Sequence, residues 1–260
     1  MAARTVCVIG AGYVGEQLIN IFSTGYDVIA VDVSPARVAT LAAKYPHVQF
    51  RTSADGLNAC DAYLVSVPTL LTPDNGPDLG HVATVRDTLA GLVPAGALVV
   101  VESSVSVGAT RALFGSFRER GVLVAFSPER VDPGRATPAP HQIPKVVSGI
   151  DAASLERVRA VYSKVYETVV PVSTMETAEM VKLYENCFRV VNIAYINEIS
   201  DVCAGRGVDV SEVVRAASTK PFGFMPFFPG FGMGGHCLPV NPHYLMTAGE
   251  LPVLEMATAL

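Results

Sequence analysis

The chain has 260 residues, of which 50% are hydrophobic and 17% charged, a length and composition suited to about two packed globular domains. A formal net charge of -5 provides no basic surface of the kind that neutralises phosphates, which excludes nucleic acid as the expected partner. No apolar run approaches the roughly 20 residues of a membrane-spanning helix, and the opening MAARTVCVIGAGYVG is too short and glycine-rich for a signal peptide, so a cytoplasmic protein with no membrane partner is expected.

The first element is a β-rich run, RTVCVIG, which turns at Gly10-Ala-Gly12-Tyr-Val-Gly15 into a predicted helix, YVGEQLINIFST. A second apolar run, DVIAVDV, follows the Gly25-Tyr26 break and includes Asp32. Strand, glycine turn, helix and strand make one βαβ unit. In such a unit Gly10 permits the tight turn, Gly12 lets a pyrophosphate reach the backbone, and Gly15 lets helix and strand approach closely. The amides opening the helix then hold the anion, and Asp32 is placed for a ribose 2′-hydroxyl. Its carboxylate would repel a 2′-phosphate, so NAD is expected rather than NADP, a preference that nearby Arg37 softens without reversing.

Further strand-like runs are DAYLVSVP (61–68), ALVVVESS (97–104), VLVAFSP (122–128), KVVSG (145–149) and ETVVPV (167–172), with helix-capable stretches between several of them. This alternation predicts a mostly parallel sheet covered by helices, with ligands at the carboxyl ends of the strands. The loops VPTLLTPDNGPDL, ESSVSVGAT and SPERVDPGRATPAPHQIP stand at such ends. The first domain is therefore expected over 1–173, and a second over 174–260.

From Ser173 or Thr174 as cap, about thirty residues without an internal Gly or Pro predict one long helix ending at Gly205 and Gly207. Its several apolar faces suit packing against its own domain and against a second subunit, so a homodimer through 174–204 is expected. Lys182, Asn186, Arg189 and Asn197 fall near one stripe, which is either a solvated face or a working one. DVSEVVRAAST predicts a shorter helix, and the chain stops partway through another helical pattern, LPVLEMATAL, which reads as a truncation.

Cys7, Cys60, Cys187, Cys203 and Cys237 form no C-x-x-C pair, and His47, His81, His141, His236 and His243 do not cluster, so free thiols and no metal site are expected. By itself a single cysteine such as Cys237, in FPGFGMGGHCLPVNPHYL, is more often a small buried apolar residue than a chemical one.

Taken together, IGAGYVG with Asp32, VPTLLTPDNGPDL, VVVESSVSVGAT, FSPERVDPG, AEMVKLYENCFRVVNIAYINE and STKPFGFMPFFPGFGMGGHCLPVNPHYL resemble, in order, the motifs of the nucleotide-sugar 6-dehydrogenases. This is the family of UDP-glucose and UDP-N-acetyl-mannosamine dehydrogenases, and G-G-H-C-x-P-V points toward its UDP-N-acetylhexosamine branch. The resemblance implies an α/β fold, a Rossmann-type mostly parallel sheet domain followed by a long-helix central and dimerisation domain. It implies NAD as cofactor, a UDP-sugar as substrate, and oxidation of the C6 alcohol to a carboxylate with reduction of two NAD+.

The same resemblance implies the roles of single residues. Cys237 is the nucleophile that attacks the C6 aldehyde; the thiohemiacetal loses a second hydride to become a thioester, which water cleaves. Lys182 stabilises the oxyanions at C6, Asn186 hydrogen-bonds the same centre, and Glu129 positions or activates the hydrolytic water, the alternative for Glu129 being a salt bridge to neighbouring basic groups. The cofactor set is Gly10, Gly12, Tyr13, Val14, Gly15, Asp32, Arg37, Pro68, Thr69 and Ser104. The substrate set is Arg130, Phe231, Gly232, Gly235 and His236.

Departures from the family pattern accompany the match. Asn241 stands where the family usually has Asp, and an amide supplies no negative charge; Ser106 and Val107 stand where prolines are usual, which predicts a looser loop. The family's C-terminal UDP-binding domain is expected to be absent, and with it binding energy that normally assists catalysis. Alternative readings are a catalytically silent NAD-binding or dimerisation module, a UDP-glucose 6-dehydrogenase, and a single-step hydroxyacid dehydrogenase, which leaves Cys237 without a task.

Overall fold

The structure, a computed structural model, describes residues 4–131, 137–235 and 237–259. The chain divides into two compact units, Met1–Lys182 and Leu183–Leu260.

The first unit runs β1 (Thr5–Ile9), α1 (Tyr13–Phe22), β2 (Asp27–Val31), α2 (Pro35–Lys44), β3 (Gln49–Arg51), β4 (Ala62–Val65), β5 (Leu70–Leu71), β6 (Pro77–Asp78), α3 (Gly80–Leu92), β7 (Leu98–Val101), α4 (Ala109–Phe114), β8 (Leu123–Phe126), β9 (Lys145–Gly149), α5 (Ala152–Tyr162) and β10 (Val169–Pro171). Eight strands form one sheet in the order β10-β9-β8-β7-β4-β1-β2-β3. Pairing is parallel throughout except between β8 and β9, where Phe126 faces Ser148 in antiparallel register. β5 and β6 are a short antiparallel hairpin in the loop after β4, closed around Asn75, which adopts φ 60°.

Period-two alternation divides the core between the two faces of the sheet. Val6 and Val8 of β1 point into one cluster with Leu18, Phe22, Leu64 and Tyr162. Cys7 and Ile9 point into the other, with Tyr63, Val99, Val101, Leu89 and Phe114. The strands buried on both faces therefore read as continuous apolar runs.

At the turn from β1 to α1, Gly10 has φ +89°, and a Cβ there would lie 2.7 Å from the Ser66 carbonyl oxygen. A Cβ on Gly15 would stand 1.9 Å from the Gly10 carbonyl oxygen, an impossible approach, whereas a Cβ on Gly12 would meet nothing within 4 Å. Two of the glycines are thus demanded by the fold, and the third leaves open space at the start of α1.

The long helix α6 (Met175–Ala204) carries the chain from the first unit into the second. Its first turns belong to the first unit, where Met175 and Ala178 join the core. The second unit continues with α7 (Val210–Ala217), α8 (Asn241–Met246) and α9 (Pro252–Ala259). Cys187, Val190 and Ala194 of α6 form its apolar core with Leu238, Leu254 and Ala257.

Gly15→Ala is expected to destabilise the first unit by about 3 kcal/mol through overpacking against backbone, and Gly12→Ala by less than about 1 kcal/mol. Urea unfolding of the two variants measures both; equal losses would contradict the separation of fold and ligand roles among the glycines.

Candidate active site

The glycine turn, the acid after β2 and the loops after β4 and β7 meet along the carboxyl edge of the sheet. Ser66 Oγ donates to the Gly10 carbonyl at 2.8 Å, and Ser103 Oγ donates to the Val67 carbonyl at 2.7 Å. These bonds tie the segments carrying Gly10, Pro68 with Thr69, and Ser104 to one another. Tyr13 and Gly12 are exposed at the start of α1, and Val14 is half-buried. The α1 amides face open space at Gly12, a cradle that suits a pyrophosphate.

Asp32 is held from two sides, accepting from the Ala11 amide at 2.8 Å and from the Ser34 amide at 2.9 Å. Arg37 turns back onto the glycine turn. Its Nε donates to the Ala11 carbonyl at 2.8 Å, and its Nη2 meets Glu16 at 2.5 Å. Lys44 also pairs with Glu16, at 2.7 Å. Burial resists the ionisation of Glu16, but the Lys44 and Arg37 hydrogen bonds and charges outweigh it and hold the carboxyl below its usual range. The guanidinium thus braces the turn instead of presenting itself to a 2′-phosphate. These residues fit NAD: an open amide cradle and an acid at the end of β2.

Further along the same edge lies a buried ionic set. Because β9 runs against β8, its first residue, Lys145, comes to the edge where β7 and β8 end. Lys145 is only 2% exposed; its Nζ donates to Glu102 at 2.6 Å, to the Pro128 carbonyl at 3.0 Å and to Glu129 at 3.2 Å. Glu102 also accepts from the Tyr162 phenol, and the Lys145 ammonium lies 5.9 Å and 5.6 Å from the Tyr162 and Tyr166 ring centres. The Tyr166 hydroxyl is buried without a hydrogen-bond partner among the described residues.

Burial pushes the Glu102 carboxyl up to about 7, against the pull of Lys145 and with the push of the Glu129 charge. Glu129 behaves differently. Burial opposes its charge, yet Lys145 and the amides of Val131 and Arg130, each at 2.7 Å from Oε1, hold it below the ordinary carboxylate range. Burial also opposes the Lys145 charge, and the two carboxylates more than offset it, raising its pKa. Glu129 is therefore an ionised carboxylate in a buried ion pair, in the state that a water-orienting group requires.

Lys182 Nζ donates to the Glu129 backbone carbonyl at 2.6 Å, which brings this half-buried ammonium of α6 to the same loop. Arg130 Nη1 donates to the Pro144 carbonyl at 2.7 Å. The loop after β7 is not left loose by its lack of prolines. Glu179 of α6 grips its far end, accepting from the Gly108 amide at 2.6 Å and the Thr110 amide at 2.9 Å.

In the second unit Cys237 is an exposed free thiol. Its neighbour Leu238 is buried in the apolar core, and the Cys237 carbonyl accepts from the Val240 amide at 3.2 Å and the Asn241 amide at 3.0 Å. Asn241 is buried and accepts from the Asn186 side-chain amide. The loop is thus fastened immediately after a thiol that stays accessible. Asn197 accepts from the Gly230 amide at 3.1 Å, whereas Arg189 is exposed. The polar stripe of α6 is therefore divided between bonded amides, of which Asn186 is buried and Asn197 half-buried, and solvated surface. Phe231, Gly232 and Gly235 are exposed, and His236 lies outside the described residues. A groove of about 480 Å³ lined by Phe188, Tyr195, Phe224 and Phe227 lies in this unit and does not include Cys237. Among the described residues no group of three His, Cys, Asp or Glu converges on a metal-sized site, and no helix is long and apolar enough to cross a membrane.

Sequence reasoning did not single out Glu102, Lys145 or Tyr162. The signal was present as a charge at each inner end of two apolar runs, VVVE and KVVSG. Such a charge must be paired or leave the sheet.

Comparison with known proteins places these features in a family. Residues 176–258 match the UDP-glucose/GDP-mannose dehydrogenase family, central domain, and residues 44–170 match the NAD binding domain of the same family. Residues 5–76 also match the family described as NADP oxidoreductase coenzyme F420-dependent. The chain is 33% identical to UDP-N-acetyl-D-mannosamine dehydrogenase of Salmonella typhi, aligning over 100% of itself and 69% of that protein. It is 33% identical to protein CapL of Staphylococcus aureus, over 93% of itself and 62% of that protein. The solved UDP-D-ManNAc dehydrogenase of Pyrococcus horikoshii superposes with TM-score 0.90 at 27% identity, over 98% of this chain and 67% of that one. The chain thus spans about two thirds of the length of these relatives. With an NAD-binding sheet domain followed by a central helical domain, the chain belongs to the UDP-glucose/GDP-mannose dehydrogenase family.

Proposed function

We propose that the chain acts in the NAD-dependent oxidation of the C6 alcohol of a UDP-N-acetylhexosamine to the uronic acid, with Cys237 as nucleophile. The observation that carries this reading is the accessible thiol of Cys237 beside the anchored residues that follow it, in a chain whose relative is named for UDP-N-acetyl-D-mannosamine. A buried cysteine would have been spacer; this one is open to a substrate.

The chemistry proceeds in three steps. NAD supplies the hydride acceptor for both oxidations. The Cys237 thiolate adds to the aldehyde formed by the first, and loss of the second hydride leaves a thioester. Water then cleaves the thioester, its oxygen bonding C6 while the C–S bond breaks and the sulfur keeps the electron pair. Lys182, bonded to the Glu129 carbonyl, supplies positive charge for the oxyanions, and Asn186 a neutral donor. Glu129 takes the proton of the attacking water. Asn241, in place of an acid, orients Asn186 through its amide and accepts no proton. Domain limits of 1–173 and 174–260, with α6 as the second domain's opening, belong to the same reading.

The protein is read as a homodimer through α6. Tyr184 and Tyr195, 65% and 60% exposed, and exposed Val202 fall at helical spacings of eleven and seven, an apolar stripe that water does not favour.

With NAD+ and UDP-N-acetyl-D-mannosamine, two NADH are expected per sugar consumed, and Cys237→Ser should abolish uronate formation while leaving NAD+ affinity within about twofold. A wild-type chain that binds NAD+ and makes no NADH would instead favour a silent binding module. Sedimentation should give twice the chain mass, and Tyr184→Glu with Tyr195→Glu should give the single-chain mass; a wild-type monomer would exclude the α6 interface.

A further inference from the structure

We propose that Lys145 is a positioning residue for Glu129, and that Glu102 sets how firmly Lys145 grips it. The inference rests on the reading of Glu129 as the acceptor of the hydrolytic proton. Glu129 Oε1 is taken by two backbone amides, those of Arg130 and Val131, both at 2.7 Å. Its Oε2 accepts from Lys145 at 3.2 Å, so the basicity of the oxygen left for water is set by that ammonium. Lys145 in turn sits closer to Glu102, at 2.6 Å.

One buried ammonium thus serves two buried carboxylates, of which Glu129 keeps slight exposure. The groups facing Glu102 are Lys145 from β9, Glu129 from the loop after β8, Tyr162 from α5 and Tyr166 just beyond it. When Glu102 is ionised it draws the ammonium, and Glu129 Oε2 is the more basic. When Glu102 is protonated the ammonium turns to Glu129, whose Oε2 is then a poorer proton acceptor. The Glu102 carboxyl, pushed by burial up to about 7, changes between these states near neutrality. The step itself balances: the water oxygen bonds C6, one water proton passes to Glu129 Oε2, and the C–S bond breaks with its electrons on the Cys237 sulfur. Lys145 acts on this step only through its bond to Glu129 Oε2, and Glu102 only through Lys145.

Two measurements test this, one of which needs no turnover. Glu102 binds its proton more tightly when folded than when unfolded, so its contribution to stability is present at low pH and lost as pH rises from about 4.5 toward about 7. The melting temperature of the wild type should therefore carry a fall across that window that Glu102→Gln lacks; identical profiles would overturn the assignment of Glu102.

In single turnovers with NAD+ and UDP-N-acetyl-D-mannosamine, wild-type thioester hydrolysis should quicken roughly tenfold between pH 6 and pH 8. In Glu102→Gln it should be slow and flat, with the first hydride transfer unchanged and the sugar accumulating on Cys237 by intact mass. Lys145→Met should lose the pH dependence and Lys145→Arg should restore it. Should the Met variant fail to fold, Glu102→Gln alone decides. Variants that hydrolyse with the wild-type profile would overturn the inference while the parent reading stands. A wild type that makes no NADH would overturn the parent reading and the positioning role together.

Discussion

A parallel sheet imposes one constraint on everything attached to it: each parallel strand must end on the same edge. In this chain β1, β2, β4, β7 and β8 deliver the glycine turn, Asp32, the Pro68 and Ser104 loops and Glu129 to that edge. The single reversal, at β9, sends a strand's beginning there instead of its end. Lys145 is that beginning. Without the reversal the ammonium would lie at the far side of the sheet, and Glu102 and Glu129 would be two buried carboxylates with no cation between them, an arrangement that low polarity does not tolerate.

The two units solve the problem of presenting reactive groups in different ways. In the first, charged groups are buried and matched against one another, so their protonation is governed by neighbours more than by solvent. In the second, the cysteine remains in solvent, and precision comes from the residues that follow it: Leu238 in the core, Asn241 on Asn186. An amide pair of this kind has no charge to titrate. Its geometry is therefore indifferent to pH, while the ionic set beside β9 is sensitive to it.

What could be read from the residues alone was what is local. Gly10, Gly12, Gly15 and Asp32 lie within one βαβ unit, and the α6 helix follows from an uninterrupted stretch without Gly or Pro. The three residues of β3 are too few for a periodic signal, and the β5–β6 hairpin hid inside what reads as a loop, although Asn75-Gly76 is a turn signature. The pairing of Lys145 was illegible for another reason. Its partners lie 43 and 16 residues away, and only the antiparallel register of β9 brings them together. Nor does spacing disclose that Glu179 braces the loop after β7, because the bond spans 71 residues. The resemblance implies the chemical roles proposed for Cys237 and Glu129, but not the neighbours that set the charge of Glu129.

The bracing of the glycine turn by Arg37 bears on how cofactor choice evolves. A change to NADP is often imagined as removal of one acid and recruitment of a nearby arginine. This arginine is already employed, by the Ala11 carbonyl and Glu16, and Asp32 holds the Ala11 amide of the same turn. Losing either would slacken the pyrophosphate cradle before a phosphate could be gained. The coenzyme preference is thereby locked to the stability of the turn, and a lineage would have to rebuild the brace at Glu16 and Lys44 before it could exchange one coenzyme for the other.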